Sequence, residues 1–525
     1  MIVIERATRE HDLALPIEPV ALLLARYRDR HPGKTAIVDL DRGSRIDFAD
    51  LHAAANRVAN FLSLRGVGHG DRVALLSEES LEKLILWLGI WRLGAVVCPL
   101  NVEMNAAHVG EILANIEPRF TFVHEDLDAA AMGAGIAAER EIFGDREAGA
   151  ADGFFARLEG VPASPEVATG NGVSDIAAIF CTSGTTSKPK CVVFDHTAYW
   201  LSGLSTLDML GLTAEDRTLE YRSFGWNSAQ ILSLMPFLQT GLTLHLARRF
   251  SHGRFFGWIR DHGITFAAGV PTVVNMLLNE PAGITADDVP TLRLMTCSTA
   301  PLSPDQWRKF EEMYGVTLLQ LYGMSEAGWI CGNRHDRRRM GTVGPPARHQ
   351  EFVIVDGDGK PCPPGVEGEV TVGGPQTSRA TISPEGVWED HSRARLRTGD
   401  LATMDEDGFV RVTGRTKDLI IRGGVNIAPL EIDHVLMRHD DVLEAAAVGV
   451  PDPIYGEEVV CYVVARPGRA LGEAEIDAHC AASLPAFKRP KAVVFAESLP
   501  KSDRGKIRRE ALREMWIEAG GGEGA

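Results

Sequence analysis

Several short strings in this chain have residue types suited to handling a phosphorylated nucleotide. The first is Thr182-Ser183-Gly184-Thr185-Thr186-Ser187-Lys188-Pro189-Lys190, directly after the apolar run 176–181. Backbone N–H groups, hydroxyls and ammonium charges on one loop can wrap a polyphosphate. The spacing is not the GxxxxGK[ST] of a P-loop, and a Ser/Thr/Gly string on its own is equally a surface turn. The second string, Tyr322-Gly323-Met324-Ser325-Glu326, follows a strand-like run at 317–320. A carboxylate among small residues there suits Mg²⁺ that also touches phosphate oxygens. Alternatively, Ser325 caps a helix whose dipole favours Glu326.

Three more strings lie downstream. In Arg397-Thr398-Gly399-Asp400, an Asp after a glycine turn can accept both hydroxyls of a ribose, or simply close a turn. Gly414-Arg415-Thr416-Lys417-Asp418 and Arg422-Gly423-Gly424 offer the dihedral freedom of a hinge, or of a plain hairpin. Pro500-Lys501-Ser502-Asp503-Arg504-Gly505-Lys506-Ile507-Arg508 puts a lysine on a glycine turn. It could reach an acyl phosphate or carboxylate as a point charge, or remain a solvated basic cluster.

These strings need elements to hold them. Phe48, Leu51, Ala55, Val58 and Leu62 recur at helical spacing behind a capping Asp47. Strands are expected at 72–76 and 95–97, with a helix at 81–93 between them, which suggests parallel α/β layers. Residues 125–172 read as a peripheral helix and a loose connector, and 180–194 as strand, loop, strand. The α/β rhythm continues with strands at 242–246 and 317–320 and helices at 251–262 and 273–278. After Gly341, short strands at 351–355, 368–372 and 409–412 alternate with turns such as Asp356-Gly357 and Pro364-Gly365. Beyond 414–417 come a helix (429–438), strands (445–450 and 459–465) and a helix (472–483). The expected class is α/β: a large N-terminal domain of αβ layers with a β-subdomain, residues 1–414, and a small α+β domain, residues 415–525.

With 525 residues, more than one core is expected. The net charge of −17 argues against nucleic acid as a partner, so an anionic substrate must meet local positive charge. The eight cysteines form no CxxC pair and no metal-ligand spacing, which suggests free, buried thiols in a reducing compartment. Residues 1–10 are already charged, so no secretory signal is expected there. The apolar stretch 84–100 is broken by Arg92 and Gly94 and too short to span a membrane. A cytoplasmic location is expected.

In order and spacing, from residue 17 to about 516, these strings resemble the adenylate-forming superfamily of acyl- and aryl-CoA synthetases, peptide-synthetase adenylation domains and luciferases. The resemblance implies an N-terminal adenylation domain and a C-terminal lid domain. It also implies ATP, Mg²⁺ and coenzyme A as cofactors, a small-molecule carboxylic acid as partner, and allows a homodimer. The acid is activated as acyl-AMP with release of pyrophosphate, then passed to a thiol. By resemblance, Thr182, Ser183, Gly184, Thr185, Thr186 and Lys190 hold the β- and γ-phosphates. Glu326 holds Mg²⁺, Ser325 touches the α-phosphate, and Tyr322 beside Gly323 stacks on adenine. Ser298, Thr299, Ala300 and Pro301 lie along adenine and the acyl group. Asp400 binds ribose with Arg415 nearby, and Lys506 bridges carboxylate and phosphate. Lys417 is the hinge about which Lys506 leaves and the Arg422–Val425 hairpin, with Gly423 and Gly424, enters for the thioester step.

The chain departs from its relatives in places. Ser187 and Cys191 replace glycines at the phosphate loop. The segment Ser223-Phe224-Gly225-Trp226-Asn227-Ser228-Ala229-Gln230 lacks the His that often gates the acyl pocket, a role that passes to Trp226. It also lacks the Asp that holds an α-amino group, which weighs against amino acids. Pocket candidates are Trp200, Phe224, Trp226, Asn227, Gln230, Val270, Ser298, Thr299 and Trp329. They suggest a small to medium aliphatic, aromatic or polar-tailed acid. The competing readings are an adenylation enzyme that loads a separate carrier protein and a relative that has lost its chemistry.

Overall fold

The computed structural model describes residues 17–100, 102, 106–127, 139–146, 153–164, 172–182, 190–300, 302–391, 395–502 and 506–520. Two eight-stranded sheets dominate the N-terminal domain. In the first, the strands Leu294–Cys297, Phe266–Ala267, Arg217–Glu220, Thr243–Leu246 and Thr35–Asp39 run parallel. Thr317–Met324 extends this parallel run beside Leu294–Cys297 and then folds back antiparallel into Gly328–Gly332. In the second sheet, Arg72–Leu76 lies between Val96–Leu100 and Phe120–His124, all parallel. Ile176–Thr182 follows beside Val96–Leu100 and pairs antiparallel with Lys190–Asp195.

The helix Leu81–Leu93 shows how the layers close. Ser80 caps its start by accepting from the Lys83 N–H at 3.1 Å, and Gly94 ends it at φ 80°. Every residue between is buried, which a helix hydrophobic all round requires. Lys83 is tolerated there because its ammonium donates to Glu79 Oε1 at 2.6 Å and the Ser77 carbonyl at 2.9 Å. Phe48–Leu64 packs beside it, with Asp47 accepting from the Asp50 N–H at 2.9 Å. Between 125 and 172 the structure adds a strand, Glu139–Phe143, parallel to Phe120–His124 at the sheet edge. Its Glu-Arg-Glu start is largely exposed, so the sequence lacks the apolar alternation that marks a strand.

A third sheet of Glu351–Val355, Gly368–Gly373, Leu396–Met404 and Val410–Arg415 is antiparallel throughout. The small C-terminal domain has its own five-stranded sheet, centred on Val442–Asp452 and Gly456–Ala465, with helices Pro429–Leu436, Glu473–Ala481 and Arg509–Glu518. Helices Pro429–Leu436 and Glu473–Ala481 contribute to a core on one side of that sheet, and Leu512 of Arg509–Glu518 to a core on the other. The chain passes into this domain through the single 3₁₀ turn Thr416–Asp418. Polar ties across the two domains include Arg466 to Asn279 at 2.6 Å. Among the described residues no helix is long and apolar enough to cross a membrane.

Candidate active site

A cleft of about 2540 Å³ lies between the two domains. It gathers Trp226, Asn227, Val270, Thr299, Ala300, Tyr322, Gly323, Ser325, Glu326, Trp329, Asp400 and Arg415 from one side. Lys417 and Lys506 meet them from the other. These residues are separated by up to 280 positions in sequence, from 226 to 506, and the topology alone brings them together.

The strand Thr317–Met324 delivers the Tyr322–Glu326 string to the cleft as a tight antiparallel return, not as a helix start. Gly323 is required there: a Cβ would lie 2.4 Å from the Gly328 carbonyl oxygen and 3.1 Å from the Trp329 ring. The Ala327 N–H donates to the Met324 carbonyl at 3.2 Å, and the Ser378 N–H to the Glu326 carbonyl at 2.7 Å. The Glu326 backbone is thereby fixed at the tip while its side chain lines the cleft. Asn227 braces the same turn, its Nδ2 donating to the Ser325 carbonyl at 3.1 Å.

Tyr322 and Asp400 form the floor. The Tyr322 hydroxyl donates to Asp400 Oδ2 at 2.6 Å, and Arg415 Nε donates to Asp400 Oδ1 at 2.7 Å. Asp400 and Arg415 are directly opposed on neighbouring strands, so the ion pair is built into the sheet register. Burial, then the charge of Asp400, pushes the Tyr322 phenol well up, so it stays a protonated donor. An ionised carboxylate has about four acceptor positions. Tyr322 and Arg415 take two of them, leaving capacity for two further hydroxyl donors.

Thr299 has a left-handed backbone, φ 78°. That is costly for a β-branched residue, and such strain concentrates where a ligand is clamped. The sequence marks the segment but not the strain. Ser298, fully buried, backs the wall without lining the cleft; its hydroxyl has no hydrogen-bond partner and its N–H donates to the Gly269 carbonyl at 3.2 Å. Gln230 is also enclosed: it accepts from the Tyr199 hydroxyl, and its Nε2 donates to the Phe224 carbonyl at 2.5 Å. It starts a π-helical turn, Gln230–Leu234, whose extra residue breaks the 3.6-residue spacing that sequence reading assumes. Phe224 is buried, and Trp200 lines a separate small cavity with Trp91 and Tyr199. Trp329 borders the cleft but is 2% exposed, its indole N–H donating to Thr206 at 2.8 Å.

Lys506 sits on a closed loop. The Ser502 N–H donates to the Lys506 carbonyl at 2.8 Å, and the Arg508 N–H to the Pro500 carbonyl at 2.9 Å. The next helix is anchored by Arg509, which pairs with Asp433 and donates to the Ala447 carbonyl at 2.6 Å. No sequence signal pointed to Asp433 or Arg509 as supports. Lys417 is exposed on the interdomain turn. Gly423 (φ 57°) and Gly424 (φ 83°) make the hairpin between Ile420–Arg422 and Val425–Ile427, which stands outside the cleft. Lys190 opens the strand Lys190–Asp195, paired with Thr182, and does not line the cleft. Next to it the thiols of Cys181 and Cys191 are 2.7 Å apart. All eight cysteines are free, and burial pushes the Cys181 thiol well up, as suits an inert group. Ser183, Gly184, Thr185, Thr186 and Pro301 lie outside the described residues, as does the side chain of Thr182.

Comparison with known proteins agrees with this geometry. Residues 24–380 match the AMP-binding enzyme family and residues 431–506 its C-terminal domain. The sulfoacetate–CoA ligase of Cupriavidus necator is 33% identical, covering 94% of this chain and 97% of its own. The oxalate–CoA ligase of Arabidopsis thaliana is 30% identical, over 94% and 98%. The ATP-bound structure of MatB from Rhodopseudomonas palustris superposes with a TM-score of 0.85 at 30% identity, over 95% and 99%. The chain belongs to the AMP-binding enzyme family, within the adenylate-forming superfamily. It is of the AMP-forming acyl-CoA synthetase type and uses ATP and coenzyme A.

Proposed function

We propose that the chain adenylates a small to medium carboxylic acid with MgATP, releases pyrophosphate, and passes the acyl group from acyl-AMP to coenzyme A. The observation that carries this reading is the convergence of Asp400, Tyr322, Glu326 and Lys506 on one cleft. Residues 1–414 act as the adenylation domain and 415–525 as its lid.

In the first half-reaction the substrate carboxylate attacks the α-phosphorus and the bond to pyrophosphate breaks. Negative charge builds on the phosphate oxygens, and donors fixed in advance are worth most at that moment. Lys506 contributes a mobile cation between carboxylate and phosphate. Asp400 holds the ribose through its two spare acceptor positions, and Tyr322, locked by Asp400, presents its ring to adenine. Ser325 and the loop at Thr182, Ser183, Gly184, Thr185, Thr186 and Lys190 hold the phosphates. No group of three or more His, Cys, Asp or Glu residues able to hold a metal occurs among the described residues. The lone Glu326 carboxylate fits Mg²⁺, which binds through one or two carboxylates with substrate phosphates; when bound, Mg²⁺ neutralises phosphate charge. The relatives named for sulfoacetate and oxalate support a compact acid.

Lys506 lines the cleft and Gly423 and Gly424 do not, which supports reading this lid arrangement as the one for adenylation. The thioester step then requires rotation about Lys417. Lys417→Pro fixes φ at that turn and restricts Thr416. The expected result is a larger loss in thioester formation from supplied acyl-AMP than in acyl-AMP formation, by ~10-fold. Unchanged thioester formation in single-turnover assays would remove Lys417 from the hinge.

The decisive test is pyrophosphate release from MgATP across a panel of carboxylic acids, with and without coenzyme A. Acid-dependent release that turns over only with coenzyme A is the expected result. A burst of acyl-AMP that coenzyme A does not discharge points to a carrier protein as acceptor. No acid-dependent release from any panel member counts against the reading.

A further inference from the structure

The acid-facing segment 223–230 and the phosphate-facing turn Tyr322–Glu326 are joined by a side chain that the chemistry above leaves without a role. Asn227 borders the cleft yet is only 4% exposed. Its Nδ2 donates to the Ser325 carbonyl at 3.1 Å, across 98 positions of sequence. Its Oδ1 is buried and has no hydrogen-bond partner among the described residues. A buried acceptor left unpaired costs stability, so an amide is a poor choice here for packing alone. What it supplies is a donor to the turn.

Peptide groups are planar, so the direction of a Cα–Cβ bond is set once the planes on both sides of that Cα are set. The plane after Glu326 is held by the Ser378 N–H, which donates to the Glu326 carbonyl at 2.7 Å. The plane before Ser325 is held by the Ala327 N–H, which donates to the Met324 carbonyl at 3.2 Å. The plane between them is common to Ser325 and Glu326, and Asn227 holds it through the Ser325 carbonyl. Of these three donors, Asn227 is the one carried by a side chain. The base from which it reaches is itself fixed. The Ser223 hydroxyl donates to Glu79 Oε1 at 2.8 Å, and the Trp226 N–H to the Ser223 carbonyl at 3.0 Å. Arg222 follows the strand Arg217–Glu220; its Nε donates to Glu220 Oε1 at 2.8 Å and its Nη2 to the Ser228 carbonyl at 3.4 Å.

We propose that Asn227 is a positioning residue for the adenylation step: from the acid-facing segment it fixes the Ser325–Glu326 peptide, and so aims the Glu326 carboxylate at Mg²⁺ and the Ser325 hydroxyl at the α-phosphate. This inference rests on the ligase reading, with Glu326 as the Mg²⁺ ligand. It moves Asn227 from recognition of the acid, which the sequence suggests, to placement of metal and phosphate. Without the bond the shared plane can tilt, and both side chains lose their aim together.

Asn227→Leu keeps the size and neutrality of the side chain and removes the donor; Asn227→Ala carries the test if that variant does not fold. Calorimetry measures ATP binding with and without Mg²⁺, in the absence of any acid. Mg²⁺ should tighten ATP binding to the wild type. In either variant that gain should shrink by ~3- to 10-fold, the worth of one hydrogen bond, while Mg²⁺-free ATP binding stays within ~2-fold. Acid-dependent pyrophosphate release should fall by ~10-fold in kcat, with KM for the acid and the ranking of acids unchanged. A Mg²⁺ gain that neither variant alters overturns the inference, as does a wild-type affinity for ATP that Mg²⁺ does not change. A shifted ranking of acids with the gain intact makes Asn227 an acid contact instead. Equal losses in Mg²⁺-free ATP binding, in the Mg²⁺ gain and in KM for the acid would mark a merely structural residue and overturn it too. No acid-dependent release from the wild type overturns the ligase reading itself.

Discussion

Lys506→Ala is expected to slow acid-dependent pyrophosphate release by ~10²- to 10³-fold, the loss seen when one fixed donor to a developing oxyanion is removed. The same variant should discharge supplied acyl-AMP to coenzyme A within a few-fold of wild type. The asymmetry follows from position. Lys506 is exposed on a loop closed by the backbone bonds Ser502 N–H to Lys506 carbonyl and Arg508 N–H to Pro500 carbonyl. Alanine keeps those bonds, and the Asp433–Arg509 pair still anchors the helix behind them. What is lost is a cation on a long stem, the charge proposed to bridge carboxylate and phosphate as they exchange a bond. Rapid-quench measurement of each half-reaction checks this; equal losses in both would show that Lys506 is not specific to adenylation. Lys506→Arg should recover little, because a planar fork does not replace a compact ammonium between two oxygens.

The parts of this molecule that local physics decides were readable in advance. Leu81–Leu93 announces itself by the apolar run from Leu84 to Trp91, and Ser80 and Gly94 act as its caps. Asp47 caps Phe48–Leu64 for the same reason. The edge strand Glu139–Phe143 was not readable, since its pairing with Phe120–His124 comes from the sheet and not from its own charged residues. Gln230 shows a second kind of limit: a helical wheel gives it a face, but the π-helical turn re-aims it toward Tyr199 and Phe224. Within the site, sequence marked Tyr322 and Asp400 separately, whereas the bond between them joins positions 78 apart. Glu220 and Arg222, two apart at the end of a strand, did carry a local signal. Side chains at i and i+2 share a face, and opposite charges there can pair.

Asp400→Asn tests the floor of the cleft. The native carboxylate accepts from Tyr322 on one oxygen and from Arg415 on the other, and its own N–H is held by Thr398 Oγ1 at 3.0 Å. An amide of the same shape has one acceptor oxygen and one donor nitrogen. If the oxygen faces Arg415, the amide nitrogen meets the Tyr322 hydroxyl, which must turn to accept. If the oxygen faces Tyr322, donor meets donor at Arg415; the ion pair is lost in both orientations. Either way at least one of the two spare acceptor positions assigned to ribose disappears, and the charge that strengthened both is gone. ATP binding should weaken by ~10- to 100-fold, seen as a rise in KM for ATP and in Kd by calorimetry. The change in kcat should be much smaller, since ribose is held equally in ground and transition states. The fold should lose only about 1–2 kcal/mol, because the opposed strands Leu396–Met404 and Val410–Arg415 keep their backbone ladder. A fall in kcat with KM for ATP unchanged would place Asp400 in the chemistry of phosphoryl displacement and not in holding the nucleotide.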